Sequence, residues 1–227
     1  MRSANPERFA TDHDLRESPC GRRTMGIYRD VILPRLCDLS MRNERLRPYR
    51  ERVIGAAQGR VLEIGVGSGL NLPFYGPVVG EVLALEPSAG LVAMAREAPR
   101  ADLPVRFIDA SAEAIPLDDK SVDTVVTTWT LCTIPDAASA LTEMRRVLRP
   151  GGKLLFVEHG LAPDRGVRWW QDTLTPVWRR ISGGCHLNRP IRSMIECGGF
   201  RIERVETGYM QGPKPMTFMY EGSARPE

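Results

Sequence analysis

The sequence predicts a doubly wound α/β fold, with a seven-stranded sheet that is mostly parallel and ends on an antiparallel strand, preceded by N-terminal helices. Three observations predict it. Short buried runs alternate with helical stretches from about residue 60 to 158. The first run leads into a loop of alternate glycines. Near the C-terminus, two strand-like runs are joined by a turn-rich segment.

Residues 1–23 are rich in Arg, Asp, Ser and Pro and lack periodicity, so they read as a flexible arm. Residues 24–227 read as a single domain whose first part, 24–58, forms a helical lid. From Met25 to Asn43 the apolar positions Tyr28, Val31, Ile32, Leu36 and Leu39 recur at steps of three and four, giving an amphipathic helix interrupted near Pro34. A second helix spans about Asn43 to Ala57, and Gly59 stops it. The strand-like runs are Arg60 to Ile64, Glu81 to Leu85, Val105 to Ile108, Val122 to Thr128 and Lys153 to Glu158. Helices around Gly90 to Ala98 and Ala137 to Leu148 are long enough for crossovers between parallel strands. Arg201 to Thr207 and Met216 to Gly222 are the last two strands, and the turn-rich Gly208 to Pro215 between them makes the final one antiparallel to its neighbour.

Composition limits the function. At 227 residues and 42% hydrophobic, the chain can bury a full core. Its net charge of +3 is spread without blocks of one sign, which argues against a nucleic-acid partner. The five cysteines include no C-x-x-C pair, against a structural metal site or disulfide framework, so no metal is expected. No apolar run approaches the length of a membrane span, and the polar N-terminus is unlike a secretory signal; a cytoplasmic protein without stable membrane insertion is expected.

The strongest signal is Val61-Leu62-Glu63-Ile64-Gly65-Val66-Gly67-Ser68-Gly69, a buried strand entering a turn whose missing side chains let a ligand approach the backbone. Glu86 ends the next strand about twenty residues later, where an acid in this fold can hold a ribose diol. A nucleoside-containing ligand follows. The third glycine comes one residue earlier than in a dinucleotide fingerprint, and Glu63 is placed to pair with a cation, which favours a sulfonium donor.

With these residues the sequence resembles the class I S-adenosylmethionine-dependent methyltransferases, which have a Rossmann-like fold, over roughly Tyr28 to Glu221. The matching pieces are Glu63 to Gly69, Glu86, Ser111-Ala112-Glu113-Ala114-Ile115-Pro116-Leu117 before Ser121-Val122-Asp123, and Leu148-Arg149-Pro150-Gly151-Gly152-Lys153. The resemblance implies S-adenosylmethionine as cofactor and S-adenosylhomocysteine as product. It places Gly65, Gly67 and Gly69 under the methionine part and Glu86 on the ribose. Ser111 and Ala112 would line the adenine, and Asp109 either joins them or merely ends the third strand. Thr128 and Trp129 would flank the sulfonium, and Asn71, Leu72 and Pro87 complete the cofactor contacts.

A narrower likeness goes to the methyltransferase-like branch containing animal microsomal thiol methyltransferases, and to the quinone C-methyltransferases. It rests on Asn71-Leu72-Pro73-Phe74-Tyr75, Leu131-Cys132-Thr133-Ile134, Val157-Glu158-His159-Gly160 and Gly184-Cys185-His186-Leu187-Asn188-Arg189. The resemblance implies a small, fairly apolar acceptor: a thiol first, a quinone carbon or lipid amine next. The animal members' N-terminal hydrophobic anchor is not seen in this sequence.

Thiol methylation needs placement of the nucleophile and removal of a proton. His13 falls in the arm, leaving His159 and His186 as candidate bases. Cys132 and Cys185 have no partner at motif spacing and read as ordinary buried thiols. In the helical stretch Val167 to Trp178, Trp170, Leu174 and Trp178 fall near one face, either walling an acceptor pocket or packing on the sheet. The N-terminal helix is read as a lid, ahead of a membrane-surface helix or plain packing, with Tyr28, Pro34 and Met41 facing inward. A nonenzymatic cofactor-binding regulator and an NAD-dependent oxidoreductase are the competing functions.

Overall fold

The computed structural model describes residues 26, 28–100 and 102–227. The arm expected over 1–23, with His13 and Cys20, lies outside the described residues. The strands are β1 (Gly59–Ile64), β2 (Val79–Leu85), β3 (Val105–Ile108), β4 (Val122–Thr128), β5 (Leu148–His159), β6 (Phe200–Tyr209) and β7 (Phe218–Pro226). They form one sheet in the order β3-β2-β1-β4-β5-β7-β6. Every pairing from β3 to β5 is parallel, and β7 runs antiparallel to both β5 and β6, as the sequence predicts.

Alternation along the strands divides the core between the two faces. In β1, Leu62 and Ile64 join Leu83, Leu85, Val125 and Phe156 on one face. That face is covered by α4 (Ala137–Val147) and α6 (Ile191–Cys197) through Leu141, Met144 and Ile195. Val61, with Val82, Ala84, Val126 and Val157, packs on the other face against Val53 and Ile54 of α2 (Arg47–Gly55) and Ala95 of α3 (Ala89–Arg96). The helices start where the local chemistry favours it. Asp136 caps α4 by accepting from the Ala138 and Ser139 amides, Ser88 caps α3, and Pro48 sits in the first turn of α2, where a missing N–H costs nothing.

Several boundaries differ from the sequence reading. The first helix is a turn at Tyr28–Ile32 followed by α1 (Leu33–Met41), with Pro34 in its opening turn rather than as an interruption. The second is a 3-10 turn at Glu44–Leu46 leading into α2, which stops at Gly55. Gly59 instead opens β1 at φ +68°, its Cα against Asp123. β5 begins at Leu148, five residues before Lys153. Helices α6 and α7 (Lys214–Thr217) were not foreseen. No helix among the described residues is long and apolar enough to cross a membrane.

Helix α5 (Arg165–Ile181) is tied by polar groups to the loops on either side of it and to α7. Gln171 is fully buried; its carbonyl accepts from the Ala162 amide at 3.0 Å, and its amide nitrogen lies 2.9, 2.9 and 3.1 Å from the Gly160, Leu187 and Pro215 carbonyls. Replacing it by leucine strands these groups, each costing about 1–3 kcal/mol. Gln171→Leu is therefore expected to lose about 3 kcal/mol or more in urea unfolding, and a loss below about 1 kcal/mol would contradict this role.

Candidate active site

The strand order reverses between β2-β1 and β4-β5, so a crevice opens beyond the carboxyl ends of β1 and β4, where ligands bind in open α/β sheets. The glycine loop leaves β1 here with Gly65, Gly67 and Gly69 all at positive φ (69°, 57° and 82°). They are not equivalent. A Cβ on Gly65 would strike the Thr130 side chain at 2.6 Å, and one on Gly69 would meet Ala98 at 2.8 Å, so these two are required for packing. A Cβ on Gly67 would meet only the Gly65 carbonyl oxygen at 4.0 Å. Its open face leaves room for a ligand against the backbone.

Glu86 turns back toward this loop from the end of β2. One carboxylate oxygen accepts from the Gly67 amide at 3.1 Å and the other from the Ser88 amide at 3.0 Å. The side chain is thereby fixed, and each oxygen keeps a lone pair for a further donor. Burial raises the Glu86 pKa, opposed by the two backbone hydrogen bonds. The neighbouring Pro87 is exposed.

Glu63 corrects one expectation. It is completely buried, and its oxygens accept from Asn71 Nδ2 at 2.7 Å and the Tyr75 hydroxyl at 2.8 Å, so it braces the loop rather than lying open to a cation. Asn71 also donates to Thr128 Oγ1 at 2.9 Å and accepts from Arg50 Nε at 3.0 Å, and Arg50 stacks 5.1 Å from the Trp129 ring. Trp129 holds φ +52°, a costly backbone for a bulky residue, which this network and the bond from its amide to the Val157 carbonyl maintain. Leu72 is buried beneath the loop in the core with Val66.

Burial lifts the Glu63 pKa from its ordinary 4.5 to about 7, against the Asn71 and Tyr75 hydrogen bonds and the Arg50 charge, with Glu86 adding to the rise. Between those two values the folded chain keeps a proton that the unfolded chain has released. This group's contribution to stability therefore falls as pH rises from about 4.5 through about 7, by up to about 3 kcal/mol. Glu63→Gln should remove that dependence. Unfolding free energies at pH 5 and pH 8 should diverge in the variant's favour, and parallel profiles would contradict the assignment.

The adenine-side candidates are less enclosed. Asp109 and Ser111 are exposed and Ala112 is buried; the Ser111 hydroxyl donates to the Glu113 carboxylate, which also accepts from the Asp136 amide. The N-terminal helices contact α5, the loop after it and α2. Tyr28 donates to the Ile181 carbonyl at 2.5 Å, Leu33 packs on Gly183, and Arg50 bonds the Met41 carbonyl at 2.8 Å. Burial, then the Cys185 and Glu86 charges, push the Cys37 thiol up. A cleft of about 780 Å³ opens on the flank of the glycine loop, between Arg47, Arg50, Ser68, Gly69 and Met94, rather than over Glu86.

The two histidines differ. His186 is half-buried; its Nδ1 lies 3.1 Å from the Cys132 carbonyl oxygen, which fixes Nδ1 as the donor and leaves Nε2 as an acceptor. Burial, with Arg189 and Arg179 nearby, lowers its pKa, so the neutral imidazole prevails. His159 points Nε2 at Cys185 Sγ, 3.1 Å away, and Cys185 Sγ lies 3.7 Å from Cys132 Sγ. Burial lowers the His159 pKa, but the Cys185 sulfur and then Glu158 more than offset this. The two cysteines were read as unpartnered; the fold brings them together on one histidine. Glu158, also unforeseen, accepts from Thr127 Oγ1 at 2.8 Å and the Thr130 amide at 3.1 Å, holding the loop after β4. Trp170 is exposed with Trp169, the buried positions of α5 are Gln171 and Thr175, and Leu174 and Trp178 are half-buried.

Residues 62–156 match the family model described as a methyltransferase domain. The chain is 34% identical over 173 residues to the human thiol S-methyltransferase TMT1B, covering 73% of this chain and 69% of that protein. It is 35% identical over 151 residues to the rat protein of that name, covering 64% and 62%, so the match spans less than two thirds of the rat relative. A demethylmenaquinone methyltransferase of Clavibacter sepedonicus is 30% identical over 132 residues, 57% of this chain and 54% of that protein. The fold matches the solved S-adenosylmethionine-dependent methyltransferase of Mesorhizobium loti with a TM-score of 0.60 at 21% identity, covering 80% of this chain and 97% of that one. The glycine loop, the Glu86 carboxylate and this likeness agree, and the chain belongs to the class I S-adenosylmethionine-dependent methyltransferases.

Proposed function

We propose that the enzyme methylates the sulfur of a small, fairly apolar thiol, with Glu86 and the glycine loop holding the cofactor and His186 taking the proton. The observation that carries this reading is the open face of Gly67 opposite a carboxylate already fixed by two amides, with an acceptor nitrogen on His186 in a loop tied to the one that follows β4. The thiol is supported by the relatives named thiol S-methyltransferase. S-adenosylmethionine, when bound, supplies an electrophilic methyl on a sulfonium sulfur.

The protein's part is placement and proton transfer. Glu86 accepts the two ribose hydroxyls while its amide bonds keep it from turning away. Gly67 lets the methionine portion lie against the main chain, Gly65 and Gly69 keep the turn tight, and Asn71, Leu72 and Thr128 support it from beneath. Pro87, Asp109, Ser111 and Ala112 border the adenine, and Trp129 forms the wall at the end of β4. His186 Nε2 receives the thiol proton as the sulfur nucleophile forms, and α1 excludes water from above. The free thiols of Cys37, Cys132, Cys185 and Cys197 support a reducing, cytosolic setting.

The test is labelled-methyl transfer with the purified chain and a panel of thiols, phenols and amines. Turnover is expected with apolar thiols. A panel in which no thiol is methylated, while a phenol or amine is, would remove the thiol reading.

A further inference from the structure

Cys132, His159 and Cys185 come from three separate segments: the loop after β4, the end of β5, and the loop after α5. Their ligating atoms all lie within 4.8 Å of one another. The glycine loop and Glu86 do not use them, and without an ion they form a hydrogen-bonded chain that runs from His159 through Cys185 Sγ to Cys132 Sγ and on to the Trp129 carbonyl at 3.4 Å. The other ring nitrogen of His159 is buried without a partner among the described residues, so the sulfur side is what this imidazole addresses.

The spacing suits a tetrahedral ion. With metal–sulfur bonds of about 2.3 Å, two thiolates on one tetrahedron stand about 3.8 Å apart, and a thiolate and an imidazole nitrogen about 3.5 Å. The observed separations are 3.7 Å between the sulfurs and 3.1 Å from Cys185 Sγ to His159 Nε2. Two thiolates and a neutral imidazole around a divalent cation give a locally neutral group, which a buried pocket tolerates where two bare thiolates would not be. The loops are held in advance: the His186 amide donates to the Cys132 carbonyl at 2.9 Å and the Gly184 amide to the Arg179 carbonyl at 2.9 Å.

We propose that Cys132, His159 and Cys185 form a zinc-binding site with three protein ligands and a fourth position open to an exchangeable ligand. Borderline-soft donors of this kind favour Zn²⁺ over Mg²⁺ or Ca²⁺, and three protein ligands with an open place is the arrangement of a reactive rather than a purely structural site. If the acceptor is a thiol, a point that rests on the function proposed above, this position is suited to bind it as the thiolate. Metal binding itself does not depend on that reading.

The experiment uses the full chain and Zn²⁺ alone. The reduced protein, with and without one equivalent of Zn²⁺, is pulse-labelled with a maleimide, and each cysteine is read by mass spectrometry. Zn²⁺ should slow labelling of Cys132 and Cys185 by about tenfold or more and leave the exposed Cys197 unchanged. Cys132→Ser and Cys185→Ser should each weaken Zn²⁺ binding by about 100-fold or more, and Cys197→Ser should not. Equal labelling with and without the metal would overturn the site. Co²⁺-loaded protein should change its visible spectrum on addition of ethanethiol, and an unaltered spectrum would overturn the open position. Thiol methylation that persists in metal-free protein would detach the zinc from turnover while leaving the methyl-transfer reading intact.

Discussion

Replacing His186 with alanine is expected to slow methylation of an alkyl thiol by about 100- to 10,000-fold, the range over which a positioned base contributes. The geometry gives the reason. With Nδ1 committed to the Cys132 carbonyl at 3.1 Å, Nε2 carries the free lone pair, and the lowered pKa keeps it unprotonated. A purely structural His186 would lower the rate on every acceptor alike. A base predicts a defect that shrinks as the acceptor becomes more acidic, because an aryl thiol already ionised at working pH needs no help. Added imidazole should restore part of the rate to His186→Ala. An equal defect on alkyl and aryl thiols, without rescue, would assign the residue to packing.

Glu86→Ala is expected to weaken S-adenosylhomocysteine binding by at least about tenfold, and by about 100-fold if both ribose hydroxyls are held, since each hydrogen bond to a charged group contributes about 1.5–3 kcal/mol. The alanine also releases the Gly67 and Ser88 amides, so part of the loss comes from a loosened loop. Glu86→Gln separates the two effects. It keeps an oxygen for one amide and removes the charge, so it should fall between wild type and alanine in a calorimetric titration. Unchanged affinity in both variants would place the ribose elsewhere.

The parts legible in the sequence were those written in continuous runs. The largely apolar runs of β1, β2 and β4 and the acid ending β2 announced both the sheet and the crevice, because strands buried on both faces draw most of their residues from Val, Leu, Ile and Ala. What stayed hidden depends on distant pairings. Cys132 and Cys185 are 53 positions apart and meet only because β4, β5 and the loop after α5 end on the same side. Glu63 read as a free carboxylate because nothing in its own segment shows that Asn71 and Tyr75 will close over it. In α5 the face read from Trp170, Leu174 and Trp178 is inward only in part: Leu174 and Trp178 are half-buried, Trp170 is exposed, and Gln171 and Thr175 are the buried positions. Helix α5 is held by amide hydrogen bonds, a contact that hydrophobic periodicity does not report.

The most direct test of the account is a crystal structure of the chain grown with S-adenosylhomocysteine. The account predicts density for the thioether along the open face of Gly67, with both ribose hydroxyls within hydrogen-bonding distance of Glu86 and the adenine near Asp109 to Ala112. Density seated away from Glu86 would contradict it.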